Sequence, residues 1–553
     1  MNSLSNKIFN QVLTHKKILL VLLFLITVLL RVPRLFLTEY NDPGGDAASH
    51  IDGARNIKDG NGYKVDFLQW FNRNDGFDDN NSISHPAYWY PPVYSMFLAV
   101  VFLLRDSLFA AAVAQILLCG ILIVLLYLLT ERLFGQKIAV VSALLVMFNP
   151  FLYWLSVIIM SEILYLTLCV VIFYLLIAKS SYVENNQFVA LSGFLTGMAF
   201  LTRYAGVTIA VGILAWLILR RRFKAVIIYG VCAFFTGAPW FLVRNYIVLG
   251  DPLIRLHSTG FYYPPVIVSS SIFQSNIEFY NLWRIGQSFW RVGGSLSSPD
   301  FFFILLPFVI IGSIKYFTDE RISLLIIFSI VLVLFHSVIL KYINVRYLIP
   351  LVVFLVPVGV KTLVELLRHW PNRKILSIRS NKSEAFLILI ISYLLVSCSS
   401  IVSSTKHCRE TNFRDELNYK WLVDNAQQDS RIAATLPHRC HYFTNLESVM
   451  LPLNLDKKWL DKFIIFYNIS YIVVEERMSE RYPSSSFIGG TLFKGQSSVK
   501  TGINELTLAC ESEGYYAGKV WIYKVNRLNP LQESNNSKTY ESSNTNVTQG
   551  DKK

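Results

Sequence analysis

Charge is scarce in this sequence. Asp, Glu, Lys and Arg make up 16% of its 553 residues, against about a quarter in soluble domains. With 53% hydrophobic residues, much of the chain must be solvated by something other than water. Cysteine is scarce too: seven are scattered, with no metal-ligand spacing. Cys119, Cys169, Cys232 and Cys398 lie in apolar stretches and read as inert packing residues. Cys408, Cys440 and Cys510 lie in a polar C-terminal region, where one disulfide forms if that region faces an oxidising space. No histidines pair at ligand spacing; His50, His85 and His257 read as loop residues. No internal repeat is evident. The apolar run from Ile18 to Leu30 continues through Arg31 and Arg34 without a small-residue cleavage site, so it reads as an uncleaved first span.

What is present is a series of long apolar runs. A helix of about 20 apolar residues spans a bilayer. That rule places about eleven transmembrane helices, at 17–37, 109–130, 138–157, 162–178, 188–202, 205–219, 225–243, 301–317, 322–340, 347–367 and 384–403. Residues 188–219 read as two helices, because a single one would run about 48 Å against a hydrocarbon core of about 30 Å. Arg203 and Tyr204 stand at that junction. The net charge of +14 sits in short clusters between runs, which argues for topology and against a nucleic-acid partner. With the N-terminus cytoplasmic, Lys16, Lys17, Arg132, Lys137, Lys179, Arg220 to Arg222, Lys315, Arg321 and Arg368 to Lys382 fall inside. Arg31 and Arg34, at the outer end of the first span, break the rule that Lys and Arg gather in the cytoplasmic loops.

Three large segments then face outward: 38–108, 245–300 and everything beyond 404. In the first, Tyr94–Leu104 follows Pro91-Pro92, is too short to span, and reads as a helix lying in the interface. The chain therefore divides into a membrane domain (1–403), an exterior α/β domain (404–528) and a Ser/Asn/Thr-rich disordered tail (529–553). DELNYKWLVDNA and KKWLDKFIIFYN have helical patterns in the exterior domain; RIAATL, YIVVEE and VWIYKV have strand patterns.

Ionisable groups at membrane depth are costly and mark candidate sites. Asp46 follows the first span, and Glu162, Arg203, Arg244 and Arg346 with Tyr347 fall at the outer ends of spans, so two acids and three arginines share one membrane face. Arginine grips phosphate with a forked donor set, which suits an anionic lipid headgroup and leaves a carboxylate to act as base. Each residue also has a bland reading: Asp46 as a turn residue in a Gly-rich loop, Glu162 as a helix-dipole acid, the arginines as headgroup anchors. The set and its shared side carry the argument.

At these residues the sequence resembles the GT-C superfamily of membrane glycosyltransferases, in particular the glycosyltransferase family 39, aminoarabinose-transferase-like and protein O-mannosyltransferase-like branch. The resemblance rests on GGDAASHIDGARNIKDGNGY, YPPVYSMFLAVVFLL, NPFLYWLSVIIMSEILYL, AFLTRYAG, PWFLVRNYIVLGDP and NVRYLIPLVVFLVP, in the family's order. It implies an α-helical polytopic membrane fold with a small C-terminal exterior α/β domain. TLPHRCHYFTNLESVMLP resembles the exterior domain of bacterial members. Asp46 matches the first-loop acid and likely base of the family, Glu162 the second acid, Arg203 a donor-phosphate residue and Tyr347 a tyrosine at the start of the tenth span. Two positions depart from the family: its Asp-Glu pair is Asp46-Ala47, and a basic residue before Pro-Pro is Tyr90.

The resemblance implies a glycosyltransferase that moves a sugar, with inversion, from a polyprenyl-phosphate donor to a hydroxyl of an envelope lipid, glycan or protein. The reaction would occur outside a plasma membrane. Catalysis falls to Asp46 and Glu162, and donor phosphate binding to Arg203, Tyr204, Arg244, Arg346 and Tyr347. Some relatives bind a divalent metal at the outer acids; Ala47 disfavours a tight site here. A flippase of lipid-linked sugars and a ligase moving whole lipid-linked glycans are the alternatives.

Overall fold

The computed structural model describes residues 16–36, 45–68, 81–87, 89–177, 185–250, 303–336, 345–369, 382–411, 415–451, 456–481, 487–514 and 518–527. They divide into two compact units. One lies within Met1–Lys64, Pro86–His257 and Tyr263–Asn412, the other within Val65–His85, Ser258–Tyr262 and Phe413–Lys553. The expected disordered tail and His257 lie outside the described residues.

The first unit is helical. Its helices are α1 (Lys16–Leu35), α2 (Gly45–Lys58), α3 (Val93–Leu104), α4 (Leu108–Phe134), α5 (Gln136–Met147), α6 (Pro150–Leu155), α7 (Glu162–Ile177), α8 (Asn186–Thr202), α9 (Val207–Leu219) and α10 (Phe223–Pro239). A π turn at Trp240–Arg244 leads into α11 (Asn245–Leu249), followed by α12 (Leu306–Lys315), α13 (Ile322–Leu334), α14 (Ile349–His369) and α15 (Lys382–Thr411). Among the described residues, four stretches are long and apolar enough to cross a membrane: Lys16–Leu35, Leu108–Phe134, Phe223–Val248 and Arg346–Arg368. Shorter apolar helices stand at the other expected spans except 188–202, where α8 lies, and a helix, α3, forms at the expected Tyr94–Leu104, with Val100, Leu103 and Leu104 exposed.

The expected span 138–157 is broken in two. Pro150 has no N–H to continue a helix from α5, and the Asn149 side chain accepts from Leu152 N at 2.9 Å to cap α6. The α4–α5 connection is Gly135 alone, at φ 85°, ψ 166°. That region of backbone space is essentially closed to any side chain.

In lipid, helices gain little by hiding apolar surface from one another, so close packing and polar contacts hold them. Gly193 and Gly197 on α8 make a small-residue stripe against α10: a Cβ at Gly193 would lie 2.5 Å from the Tyr229 carbonyl oxygen. The Tyr229 hydroxyl donates to Thr196 at 2.8 Å across the same interface. Phe173, Phe328 and Phe354 interlock α7, α13 and α14, with ring centroids 4.6–5.6 Å apart. On the opposite side of α10, Phe234 and Phe235 are exposed, as lipid-facing residues are.

Arg31 and Arg34, the exceptions to the charge rule, are buried rather than at an aqueous boundary. Arg31 donates to Ser156 Oγ at 2.7 Å, Thr27 O at 3.0 Å and Met147 O at 3.1 Å. It thus satisfies a carbonyl freed where α5 ends at the Asn149-Pro150 break. Both guanidiniums lie 5.5 Å from the centroid of the Tyr153 ring on α6.

The second unit is built on a seven-stranded sheet: β1 (Phe67–Leu68), β2 (Arg431–Ala434), β3 (Ser448–Met450), β4 (Ile469–Glu475), β5 (Ser498–Lys500), β6 (Asn504–Gly514) and β7 (Gly518–Arg527). The order is β1-β3-β2-β4-β7-β6-β5, parallel through β4 and antiparallel beyond it. Helices α16 (Asp415–Asn425), α17 (Pro437–Thr444) and α18 (Lys457–Tyr467) flank it, with α17 and α18 providing the crossovers from β2 to β3 to β4. The strand β1 shows that part of the segment between α2 and α3 belongs to this sheet. Cys440 and Cys510 are both free, so the expected disulfide does not join them; the Cys408 side chain lies outside the described residues.

Candidate active site

Asp46 stands in the first turn of α2, not in a loop. A carboxylate there is favoured by the helix dipole. One turn on, His50 is buried, in contrast to its reading as a loop residue. Its Nδ1 lies 3.2 Å from Ser95 Oγ on α3, and its ring packs against Tyr90 and Tyr94 at 5.0 and 4.9 Å. Burial holds the imidazole neutral, with its pKa pushed down to about 3. Tyr90 donates its hydroxyl to Asp46 Oδ1 at 2.5 Å.

Glu162 opens α7 with its side chain 2% exposed. Arg203 reaches it from the α8–α9 junction, Nη1 to Oε1 at 2.8 Å, and also donates to Ser161 Oγ at 2.9 Å. Arg346, just before α14, pairs with Asp46 through Nη2 and places Nε 3.8 Å from Glu162 Oε1. One guanidinium thus spans both acids. The Tyr347 ring lies 5.4 Å from the Arg203 guanidinium and 5.2 Å from that of Arg346. Tyr204 packs on Phe200 at 5.9 Å, within the short 3-10 turn Tyr204–Gly206 that separates α8 from α9.

Arg244 is engaged differently. It lies 4.7 Å from the Trp240 ring centroid and donates to Asn245 Oδ1 at 2.9 Å and to the Tyr63 carbonyl at 3.4 Å. The Tyr63 hydroxyl donates to Tyr90 O at 3.0 Å, tying this group to the Asp46 side. Among the described residues Arg244 has no carboxylate partner. Two acids therefore face three guanidiniums, and the surplus positive charge is at Arg244.

Burial raises the Asp46 pKa, but Arg346, the Tyr90 hydrogen bond and Arg203 outweigh it and hold the carboxyl below its ordinary value. An acid so held stays ionised and is a weak base in the resting site. No group of three or more His, Cys, Asp or Glu side chains suited to a metal ion occurs among the described residues. Asp46 and Glu162 instead share a guanidinium, and Asp46 Oδ1 accepts from a phenol. That donor set does not fit a divalent cation.

The structure thus brings together Asp46, Glu162, Arg203, Arg346 and Tyr347, with Arg244 attached through Tyr63 and Tyr90. The residues missed from sequence are Tyr90, His50, Ser161, Tyr63 and Trp240. Tyr90 carried a signal, standing where some relatives have a cation before Pro-Pro; the others are common residues that only packing singles out.

Residues 85–242 match the dolichyl-phosphate-mannose-protein mannosyltransferase family. No curated protein is significantly similar in sequence. Among solved structures, the chain is similar to ArnT from Cupriavidus metallidurans bound to undecaprenyl phosphate (TM-score 0.52, 11% identity, covering 92% of this chain and 98% of that one). It is also similar to the oligosaccharyltransferase AglB from Archaeoglobus fulgidus in complex with an inhibitory peptide and a dolichol-phosphate (TM-score 0.54, 13% identity, 92% and 74%). The chain is a membrane protein with the fold of the GT-C glycosyltransferase superfamily, as its motifs suggest.

Proposed function

We propose that the protein is a glycosyltransferase using a polyprenyl-phosphate-linked sugar and acting at the outer face of a plasma membrane. The observation that carries this reading is the constellation of two acids and three guanidiniums with one positive charge in surplus. A phosphate-linked donor supplies the anion that such a site lacks. Arg244 is the cation best placed to receive the phosphate, because Arg203 and Arg346 are already committed to Glu162 and Asp46. Tyr347 and Tyr204 line the same region, and Glu162 holds the two committed arginines in place.

The proposed reaction is a direct displacement. The acceptor hydroxyl, hydrogen-bonded to Asp46, attacks the anomeric carbon, the bond from that carbon to the phosphate oxygen breaks, and the configuration inverts. The hydroxyl proton passes to Asp46 as the new bond forms. The polyprenyl phosphate leaves with its charge stabilised by guanidiniums in a site of low dielectric. No step requires a metal. In this reading the N-terminus is cytoplasmic, the membrane domain runs over 1–403, and the domain of 404–528 is exterior.

The test is Asp46→Asn in membranes supplied with labelled lipid-linked sugar. Loss of a positioned acid–base group costs about 10²–10⁴-fold in rate. Transfer at near wild-type rate would remove Asp46 from the mechanism. Sugar crossing reconstituted bilayers with no covalent product would instead make the protein a transporter, and the mass added to the acceptor distinguishes a single sugar from a whole glycan.

A further inference from the structure

Hydrogen-bond donors without acceptors gather around Arg244. The chain leaves α10 through a π turn, in which the Asn245 backbone N–H donates to the Trp240 carbonyl five residues back. Single π turns of this kind recur at functional sites. Arg244 lies over the Trp240 ring and donates Nη1 to Asn245 Oδ1 at 2.9 Å, so the Asn245 amide stands beside the guanidinium. Asn245 is fully buried, yet its Nδ2 has no hydrogen-bond partner among the described residues, and neither has the indole Nε1 of Trp240. A buried donor left unpaired is costly and points to an acceptor that a ligand supplies.

Arg244 gives one N–H to Asn245 and one to the Tyr63 carbonyl, which leaves three of its five for a ligand. The groups still open at the turn are thus all donors. A sugar hydroxyl would need an acceptor for its own proton there, whereas a phosphate needs only donors. Leu242, Val243 and Ile247, on and beside the same turn, are exposed as lipid-facing residues are. A phosphate carried on a lipid tail therefore reaches the turn from the bilayer.

We infer that Trp240 and Asn245 bind the leaving phosphate of the lipid carrier together with Arg244, one donor group for each terminal oxygen. This role rests on the sugar transfer proposed above, in which the carrier phosphate begins as a diester with two terminal oxygens. When the bond to the anomeric carbon breaks, its electron pair stays on the bridging oxygen, and the acceptor's proton passes to Asp46. The phosphate is then a monoester with a third terminal oxygen and one more negative charge. Guanidinium, indole and amide match that monoester better than they match the diester. A contact that strengthens as the bond breaks raises the rate of the step instead of only binding the substrate. The spent carrier accordingly binds more tightly than the lipid-linked sugar.

The experiment uses the full chain, purified in a non-ionic detergent, and measures equilibrium binding of undecaprenyl phosphate, its methyl diester, undecaprenol and inorganic phosphate. The wild type should hold the monoester most tightly, and undecaprenol and inorganic phosphate weakly. Trp240→Phe keeps a ring over Arg244 without its N–H, and Asn245→Leu removes the amide. Each should weaken monoester binding by roughly 10-fold or more, and diester binding by no more than about threefold. Both variants keep Arg244, so the guanidinium's own preference for the dianion remains and only the share of the neutral donors is lost. Thermal unfolding checks that each variant is folded, and Trp240→Phe, the milder change, decides if Asn245→Leu is not. In transfer assays of the same variants kcat should fall more than KM rises. Equal weakening of both esters, or none, would overturn the assignment and leave the lipid-phosphate donor standing. Inorganic phosphate binding as tightly as the lipid would make this a site for a free anion and overturn it as well. A wild type that binds no undecaprenyl phosphate would overturn the proposed donor class and this role together.

Discussion

The phenol of Tyr90 donates a hydrogen bond to Asp46 at 2.5 Å, on the side of that acid away from Arg346. Tyr90 stands immediately before Pro91-Pro92, which lead into α3, while Asp46 is in the first turn of α2. The contact therefore ties α2 to the segment leading into α3 at the candidate site. It also supplies a donor without adding a charge.

The pH dependence of transfer tests that contact. Asp46 has a pKa below the ordinary 3.8, the pull of Arg346, Tyr90 and Arg203 exceeding the upward push of burial. A depressed folded-state pKa means that the ionised carboxylate stabilises the fold above the unfolded value, and that this is lost as pH falls through the folded value. The acid limb of the kcat/KM profile contributed by Asp46 should thus lie below pH 3.8, with no inflection from it between pH 5 and 8. Tyr90→Phe removes one of the lowering contacts and should move that limb upward. An unchanged limb would separate Tyr90 from the titration of Asp46.

Arg244 should govern donor affinity. Its guanidinium has no carboxylate partner among the described residues and lies over Trp240. A hydrogen bond to a charged group contributes about 1.5–3 kcal/mol, so Arg244→Gln should raise KM for the lipid-linked sugar by roughly 10–100-fold. Lysine lacks the planar fork and should restore only part of the loss. The turnover number at saturating donor should change less than KM. A kcat loss with KM unchanged would show that Arg244 acts on the chemical step instead.

Chelation is the third measurement. Because Arg346 spans Asp46 and Glu162, the two carboxylates have a cation already. Transfer by purified protein should survive an excess of EDTA and gain nothing from added magnesium or manganese. A chelator-sensitive rate that a divalent salt restores would mean that Arg346 moves away from the acids in the working enzyme.

Arg31 should matter to stability rather than to substrate. Arg31→Leu leaves Met147 O without its guanidinium donor at the break between α5 and α6. An unsatisfied buried polar group costs about 1–3 kcal/mol. The variant should unfold at lower temperature in detergent while KM for donor stays within about twofold, since the residue touches neither acid. Wild-type thermal stability would show that another donor or water replaces the guanidinium.

Much of this architecture is legible in the amino-acid sequence because the bilayer imposes a length. Described helices stand within each of the expected spans, and the length of 188–219 requires the break found at Arg203 and Tyr204. The edge of a span is less legible. The break at Asn149-Pro150 lies inside an unbroken apolar run, where hydropathy is blind and only backbone hydrogen bonding decides. Likewise the RIAATL and YIVVEE strands are readable from their composition, but β1 is two residues long and acquires its identity only by pairing with β3.

The candidate site divides in the same way. Sequence by itself determined that Asp46, Glu162, Arg203, Arg244 and Arg346 are costly where they stand, because ionisable groups at the ends of apolar spans need partners. Tertiary structure decided the partners. It placed Arg346 across two acids 300 and 184 positions back along the chain, put the Tyr90 phenol on Asp46, and left Arg244 without a carboxylate among the described residues. It also turned Arg31 from a misplaced charge at the end of a span into a donor at the break between two helices. A distance of a few ångströms between residues so far apart in sequence is set by how the helices pack, and no local pattern encodes it.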